Sequence, residues 1–272
     1  MSETTKDSLG ISLSTGNPMD RPPAICLYGP SGGGKSTELA RAFPSALFLV
    51  SSETVLRPYV DFLAKNPEIA ANEGLKVPAY KVIPKYRPGT SELIDPRGLI
   101  DAVIDKFVEG TRSGTNPYSG IVFDEWTELG FRVHEAIQAD SKYGRNNFAR
   151  FDALKEFHYK LARLPEQTGK ALGLVCHEME PQYDTKEGSP TQGHLLHRGG
   201  PKMPIKSLTH EVSAAMDIVL RIRIKEEVTG ETNRFYDTDL KEKWISKIRA
   251  FGINSQEPLG LRALLQRAGY KL

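Results

Sequence analysis

The residues Gly29-Pro30-Ser31-Gly32-Gly33-Gly34-Lys35-Ser36 constrain this chain more than any other stretch. They fit the pattern G-x-x-x-x-G-K-[ST]. They lie between an apolar run at 24–28 and a helix-compatible run at 36–43 that Pro44 stops. Such a spacing curls the backbone so that successive N–H groups point inward, and glycines permit the curl because no Cβ intrudes. A helix starting at Lys35 adds its positive N-terminal end to the same concavity. The ligand that suits it is a chain of phosphates. Lys35 reaches the β- and γ-phosphates, Ser36 offers its hydroxyl to magnesium, and Thr37 follows in the first helical turn. ATP with Mg²⁺ is therefore the expected ligand pair.

The rest of the chain repeats the strand–helix alternation. Apolar runs at 46–50, 121–123 and 171–176 have strand length, and a further strand is expected at 80–83. Apolar residues at helical spacing mark 98–108 and 148–164, the latter striped by Phe151, Leu154, Phe157, Leu161 and Leu164. Beyond 204 the pattern changes. Alternation at 218–225, a turn at 229–231 and short runs at 234–236 and 244–248 read as antiparallel strands, before a last helix at 260–268. The expected architecture is a three-layer α/β core, a mostly parallel sheet with an antiparallel C-terminal edge. Residues 1–20 are polar and read as a flexible arm, leaving 21–272 as one domain. Proline-rich 66–96 and Gly/Pro-rich 180–204 read as long excursions.

A net charge of +2 does not announce a nucleic-acid binder, so basic loops have to be argued one at a time. The two cysteines, Cys26 and Cys176, fall in apolar runs without a C-x-x-C, which suits a reducing, cytoplasmic compartment. No apolar run is long enough to span a membrane. Zinc is not expected, since H-E-x-x-H is absent and His194 and His197 lack a third ligand at a recognisable spacing.

The run Ile121-Val122-Phe123-Asp124-Glu125 delivers two carboxylates to the C-terminal end of a strand, the edge where parallel sheets bind ligands. Asp124 is the expected second holder of magnesium, directly or through water. Hydrolysis also needs a base or water-orienting acid. Glu125 and Glu53 are the candidates, and spacing alone does not choose between them.

These motifs together resemble the RecA-type ATPases. More narrowly, the chain is similar to the short phage-encoded RecA/RadA-like recombination ATPases that accompany single-strand annealing proteins. Leu47-Phe48-Leu49-Val50-Ser51-Ser52-Glu53 looks like the strand that ends in the water-polarising glutamate, so the resemblance places Glu53 ahead of Glu125. It makes Tyr59 a candidate to stack on the base, with Arg57 where an adenine-contacting acid is common. Gly173-Leu174-Val175-Cys176-His177 resembles the strand whose end residue, here His177, senses the γ-phosphate. Trp244-Ile245-Ser246-Lys247-Ile248-Arg249-Ala250-Phe251-Gly252 is similar to the K-N-R-F-G element of RadA, with Ala250 interposed. The resemblance implies that Lys247 and Arg249 reach the nucleotide of a neighbouring subunit in a head-to-tail homo-oligomer.

It also implies two loops that hold single-stranded DNA. The matching stretches are 140–150, with Lys142, Arg145 and Arg150 beside Tyr143 and Phe148, and 180–206, with Arg198, Lys202 and Lys206. Cations with aromatics suit backbone neutralisation and base stacking. The implied activity is DNA-stimulated ATP hydrolysis in recombination or strand annealing, with a single-strand annealing or single-strand binding protein as a possible partner. If phage-encoded, the chain would work in the host cytoplasm. A P-loop kinase for a small acceptor and a nucleotide-dependent loader or switch acting through protein partners are the competing readings.

Overall fold

The computed structural model describes residues 4–6, 12–14, 20–227, 232–238, 243–248 and 253–271. Near the start, β1 (Thr4–Lys6) and β2 (Ser12–Ser14) pair antiparallel within the stretch expected to be an arm. The core begins with β3 (Ala24–Gly29), α1 (Lys35–Ala42), β4 (Leu47–Val50), α2 (Arg57–Lys65), α3 (Pro67–Glu73) and β5 (Ala79–Val82). It continues with α4 (Pro96–Arg112), β6 (Gly120–Phe123), α5 (Trp126–Ala139), α6 (Asn147–Ala162), α7 (Leu164–Thr168) and β7 (Ala171–Met179). A small hairpin, β8 (Gln182–Tyr183) with β9 (Leu195–His197), leads to β10 (Gly200–Pro201) and α8 (Lys206–Ala215). The chain closes with β11 (Ile218–Glu226), β12 (Thr232–Asp237), β13 (Lys247–Ile248), β14 (Gln256–Pro258) and α9 (Leu261–Arg267). The turn expected at 229–231 lies outside the described residues.

The main sheet runs β14-β12-β11-β3-β7-β6-β4-β5. From β11 to β5 the strands pair parallel in that order, with β10 added antiparallel to the end of β7, whereas β12, β13 and β14 join antiparallel at the C-terminal edge. This is the three-layer α/β arrangement the alternation predicts. Period-2 patterning decides the layers. In β3, Ile25 and Leu27 pack with Leu39 of α1 and with Leu261, Leu264 and Leu265 of α9. Ala24, Cys26 and Tyr28 face the other way, toward Ile104 of α4, Trp126 and Val133 of α5, and Leu154 of α6. Both faces are buried, so the strands read as continuous apolar runs rather than as alternating ones.

The order of strands positions the site. β7 lies between the strand that leads into the phosphate loop and the strand that ends at Asp124. The C-terminal ends of β3, β7 and β6 therefore converge on one edge, with β4 just beyond. Among the described residues, no helix is long and apolar enough to cross a membrane.

Beneath that edge, His158 of α6 is fully buried against the Trp126 ring, 5.2 Å between centroids. Its Nδ1 faces the Leu154 carbonyl oxygen at 2.8 Å, and its Nε2 has no partner. Burial pushes its pKa down to about 4. An unfolded histidine takes up its proton near pH 6.5. Between those values the unfolded chain binds more protons, so His158 stabilises the fold fully above about pH 6.5 and progressively less as pH falls toward 4. Chemical denaturation at pH 7 and pH 5 should show the parent losing about 2 kcal/mol more than a His158→Phe protein. Equal losses in the two proteins would show that His158 is not the titrating group.

Candidate active site

β3 hands the chain to the loop at Gly29, whose φ is 149°. A Cβ there would stand 2.5 Å from the Ile222 carbonyl oxygen, so only glycine allows the loop to leave the strand so close to β11. Gly32 (φ 73°) and Gly34 (φ 93°) complete the curl into α1. Lys35 is buried. Its Nζ donates to the carbonyls of Gly29 at 3.0 Å and Pro30 at 2.7 Å, and burial lowers its pKa.

The second shell of the loop comes from β6. Ser36 Oγ donates to Asp124 Oδ1 at 2.9 Å, and the Glu125 N–H donates to the same oxygen at 3.1 Å. Asp124 is wholly buried and its Oδ2 has no hydrogen-bond partner. Burial above all, with the Glu125 charge adding to it, raises the Asp124 pKa to about 7 despite the Ser36 bond. A buried carboxylate oxygen with no donor, beside a hydroxyl, is the donor set of a hard divalent cation. Ser36 and Asp124 thus fit magnesium on this structure's own terms.

Glu125 is the one non-glycine residue with positive φ among those described (φ 58°). That left-handed conformation costs about 1–2 kcal/mol, and α5 starts directly after it. The turn aims the Glu125 side chain into the cavity above the loop, where Ser51 Oγ at the end of β4 donates a short hydrogen bond to its Oε2. Glu53 stands differently. It begins an exposed 3₁₀ turn, and its neighbours Thr54 and Val55 line the cavity while it does not. The geometry brings Glu125, not the expected Glu53, to the phosphate loop.

His177 follows the buried part of β7, opposite Gly29 in register, and lines the same cavity. Burial, and then the nearby Lys35 charge, lower its pKa. Its backbone N–H donates to Thr127 Oγ1 at 3.0 Å, and that hydroxyl donates to the Lys202 carbonyl at 3.0 Å. The Lys202 N–H returns a bond to the His177 carbonyl at 2.8 Å. The end of β7, the start of α5 and the 180–206 excursion are thereby joined beside the phosphate loop.

The phosphate loop, Asp124, Glu125 and His177 line a cavity of about 580 Å³ that also has apolar groups in its wall. Val55, Pro58 and Phe62 line it as apolar groups, and Leu259 lines it beside Gly34 of the loop.

Residues 21–250 match the AAA domain family (AAA_24). The chain belongs to that family. No curated protein matches it. Among solved structures it is similar to a KaiC-like protein, PH0186, from Pyrococcus horikoshii OT3. The identity is 12%, covering 89% of this chain and 88% of that one, with a TM-score of 0.41. Membership makes the chain a nucleotide-binding P-loop NTPase, in keeping with the loop, and its topology is that of the expected core.

The other expected site residues of this AAA domain are scattered. Tyr59 is corrected: it is 1% exposed, packs in the core with its ring stacked on Phe62 at 6.2 Å, and contributes nothing to the cavity wall. Phe62, one helical turn on, takes the wall position. Lys247 is corrected too. Its Nζ donates to the carbonyls of Ser213 at 3.2 Å, Ala214 at 3.0 Å and Met216, so it caps the C-terminus of α8. Arg249 lies outside the described residues.

The residues expected in the DNA loops are surface groups. Lys142 lies over the Tyr143 ring at 5.5 Å and Arg145 is exposed. Arg150 is turned back onto the Gly144 carbonyl, and Lys206 donates to Gln182 Oε1 at 2.6 Å. Arg198 is half-buried and Lys202 exposed. Sequence patterning missed Ser51, Arg41, Phe62, Thr127, Arg234 and Leu259. Ser51 alone carried a signal, as the polar residue at the end of an apolar strand.

Proposed function

We propose that this AAA domain is a magnesium-dependent ATPase whose turnover is coupled to single-stranded DNA. The observation that carries the ATPase half is the pairing of Ser36 with Asp124, whose Oδ2 is buried and unpartnered, next to a Glu125 held in place by Ser51. In this reading the loop N–H groups and Lys35 hold the β- and γ-phosphates. Ser36 and Asp124 hold the metal, which supplies charge compensation to the phosphate oxygens. Glu125 accepts the hydrogen bond of the attacking water and takes its proton, with Ser51 fixing the carboxylate. His177 stands where the terminal phosphate changes charge.

The DNA half rests on two features. Phe148, at the start of α6, is 85% exposed, and Lys142 and Arg145 are exposed in the stretch just before it, an aromatic with cations suited to an unpaired base and its phosphates. The Thr127–His177–Lys202 bonds tie the second loop to the phosphate site, so a strand held by that loop has a route to the chemistry. Subunits gathered head to tail on the strand, serving annealing or strand exchange with an annealing protein, complete the reading. Arg249 is then the remaining candidate for a cation acting across an interface.

The test is the ATPase rate with and without single-stranded DNA. The parent should be stimulated several-fold, more strongly at low salt, and a Phe148→Ala protein should keep its basal rate while losing most of the stimulation. A rate indifferent to DNA removes the DNA half and leaves the kinase and loader readings, which phosphate transfer to a small acceptor distinguishes.

A further inference from the structure

We infer that Arg234 binds the polyphosphate of its own subunit, making it a second cation of the site beside Lys35. The inference rests on the triphosphate reading above and assigns that site a residue no motif marks.

The placement follows from strand register. Ile222 of β11 lies against the phosphate loop: a Cβ built on Gly33 would be 3.4 Å from Ile222 Cγ2. Across the hairpin Ile222 pairs with Tyr236, and Ile224 pairs with Arg234. Residues two apart on a strand share a face, so Arg234 is on the face of Tyr236. That face carries α1, because the Tyr236 hydroxyl bonds to Glu38 Oε2. β12 runs antiparallel to β11, so the step from Tyr236 to Arg234 leads about 7 Å toward the sheet edge where the loop stands. There Arg234 lines the nucleotide cavity together with Ser31 to Ser36 and Leu259.

Its guanidinium is uncommitted. Arg234 is exposed and makes no hydrogen bond or ion pair among the described residues. The other arginine of the cavity, Arg41, is taken. It donates twice to Glu73, at 3.1 and 2.6 Å, and its guanidinium lies over Phe62 at 5.5 Å. A guanidinium lining the same cavity as the loop suits phosphate oxygens, which such groups bind in pairs of hydrogen bonds.

Calorimetry with ATP and ADP, and steady-state turnover, test the assignment on the full chain. Arg234→Ala should weaken both nucleotides about tenfold, the scale of one charge-assisted hydrogen bond, with Arg234→Lys in between. The position is exposed, so the melting temperature should hold. Mixing Arg234→Ala with Lys35→Ala should give no more turnover than the sum of the two alone, because each lacks its own phosphate cation. Parental affinity and turnover in Arg234→Ala, while Lys35→Ala loses binding, overturn the role of Arg234 and leave the site intact. Parental affinity in both variants overturns the triphosphate reading itself. Recovery of activity on mixing overturns the own-subunit assignment and shows that Arg234 serves a neighbour.

Discussion

Lys35→Ala should lose at least about a hundredfold in ATP affinity while keeping its fold. Lys35 Nζ is buried at the mouth of the loop, against the Gly29 and Pro30 carbonyls, in a place where burial already disfavours its charge. A cation held in that way is poorly solvated, and anionic phosphate oxygens are far stronger partners than two carbonyls. Two charge-assisted hydrogen bonds of about 1.5–3 kcal/mol each set the scale of the loss. The curl is set by backbone geometry at Gly29, Gly32 and Gly34, so the fold should survive loss of the two bonds that Lys35 makes to the loop carbonyls. Calorimetric titration of ATP into parent and variant checks it. Equal affinities would mean the concavity binds something other than a polyphosphate.

What could be read from the chain depended on how local the cause was. The strands of the parallel core announced themselves because both faces of the sheet are covered, so β3, β6 and β7 are unbroken apolar runs. Two of the five prolines that made 66–96 look like one long excursion in fact start helices. Pro67 opens α3 and Pro96 opens α4, positions where a missing N–H costs nothing. α5 was overlooked for another reason. It has no side-chain cap, contains Gly130, and buries Arg132, whose guanidinium donates to the Ile83 carbonyl at 2.9 Å. Trp126, Leu129, Val133 and Ile137 do form an apolar stripe along it, but these features break up the pattern around it.

The site divides in the same way. The phosphate loop is contiguous, and Asp124 closes an apolar strand, so both are legible. Lys247 is not, because the helix end it caps lies more than thirty residues upstream, and a cation's partner at that separation leaves no pattern. Tyr59 and Phe62 are two aromatics on one short helix. Which of them faces the ligand is decided by the packing of α2 on the sheet, which buries Tyr59.

Glu125→Gln should bind ATP like the parent and hydrolyse it at least about a hundred times more slowly, whereas Glu53→Gln should stay within about twofold of the parental rate. An amide is the size of the carboxylate and still accepts the Ser51 hydrogen bond, so the turn and the Asp124 contact persist. What is lost is the negative charge that orients water and takes its proton, a contribution of about 10²–10⁴ in rate. Backbone strain supports the choice. Glu125 is held at φ 58°, in a conformation glycine would adopt more cheaply, and the strain puts the carboxylate in the cavity. Glu53 is exposed on its turn, and no comparable geometry aims it at the phosphate loop. Single-turnover hydrolysis at saturating ATP separates the chemical step from binding. A Glu53→Gln protein that binds but does not turn over, beside an active Glu125→Gln, would restore the role the RecA resemblance implies. The 3₁₀ turn would then have to swing Glu53 inward when nucleotide binds, and Glu125 would be left as the capping turn that shapes the Asp124 site.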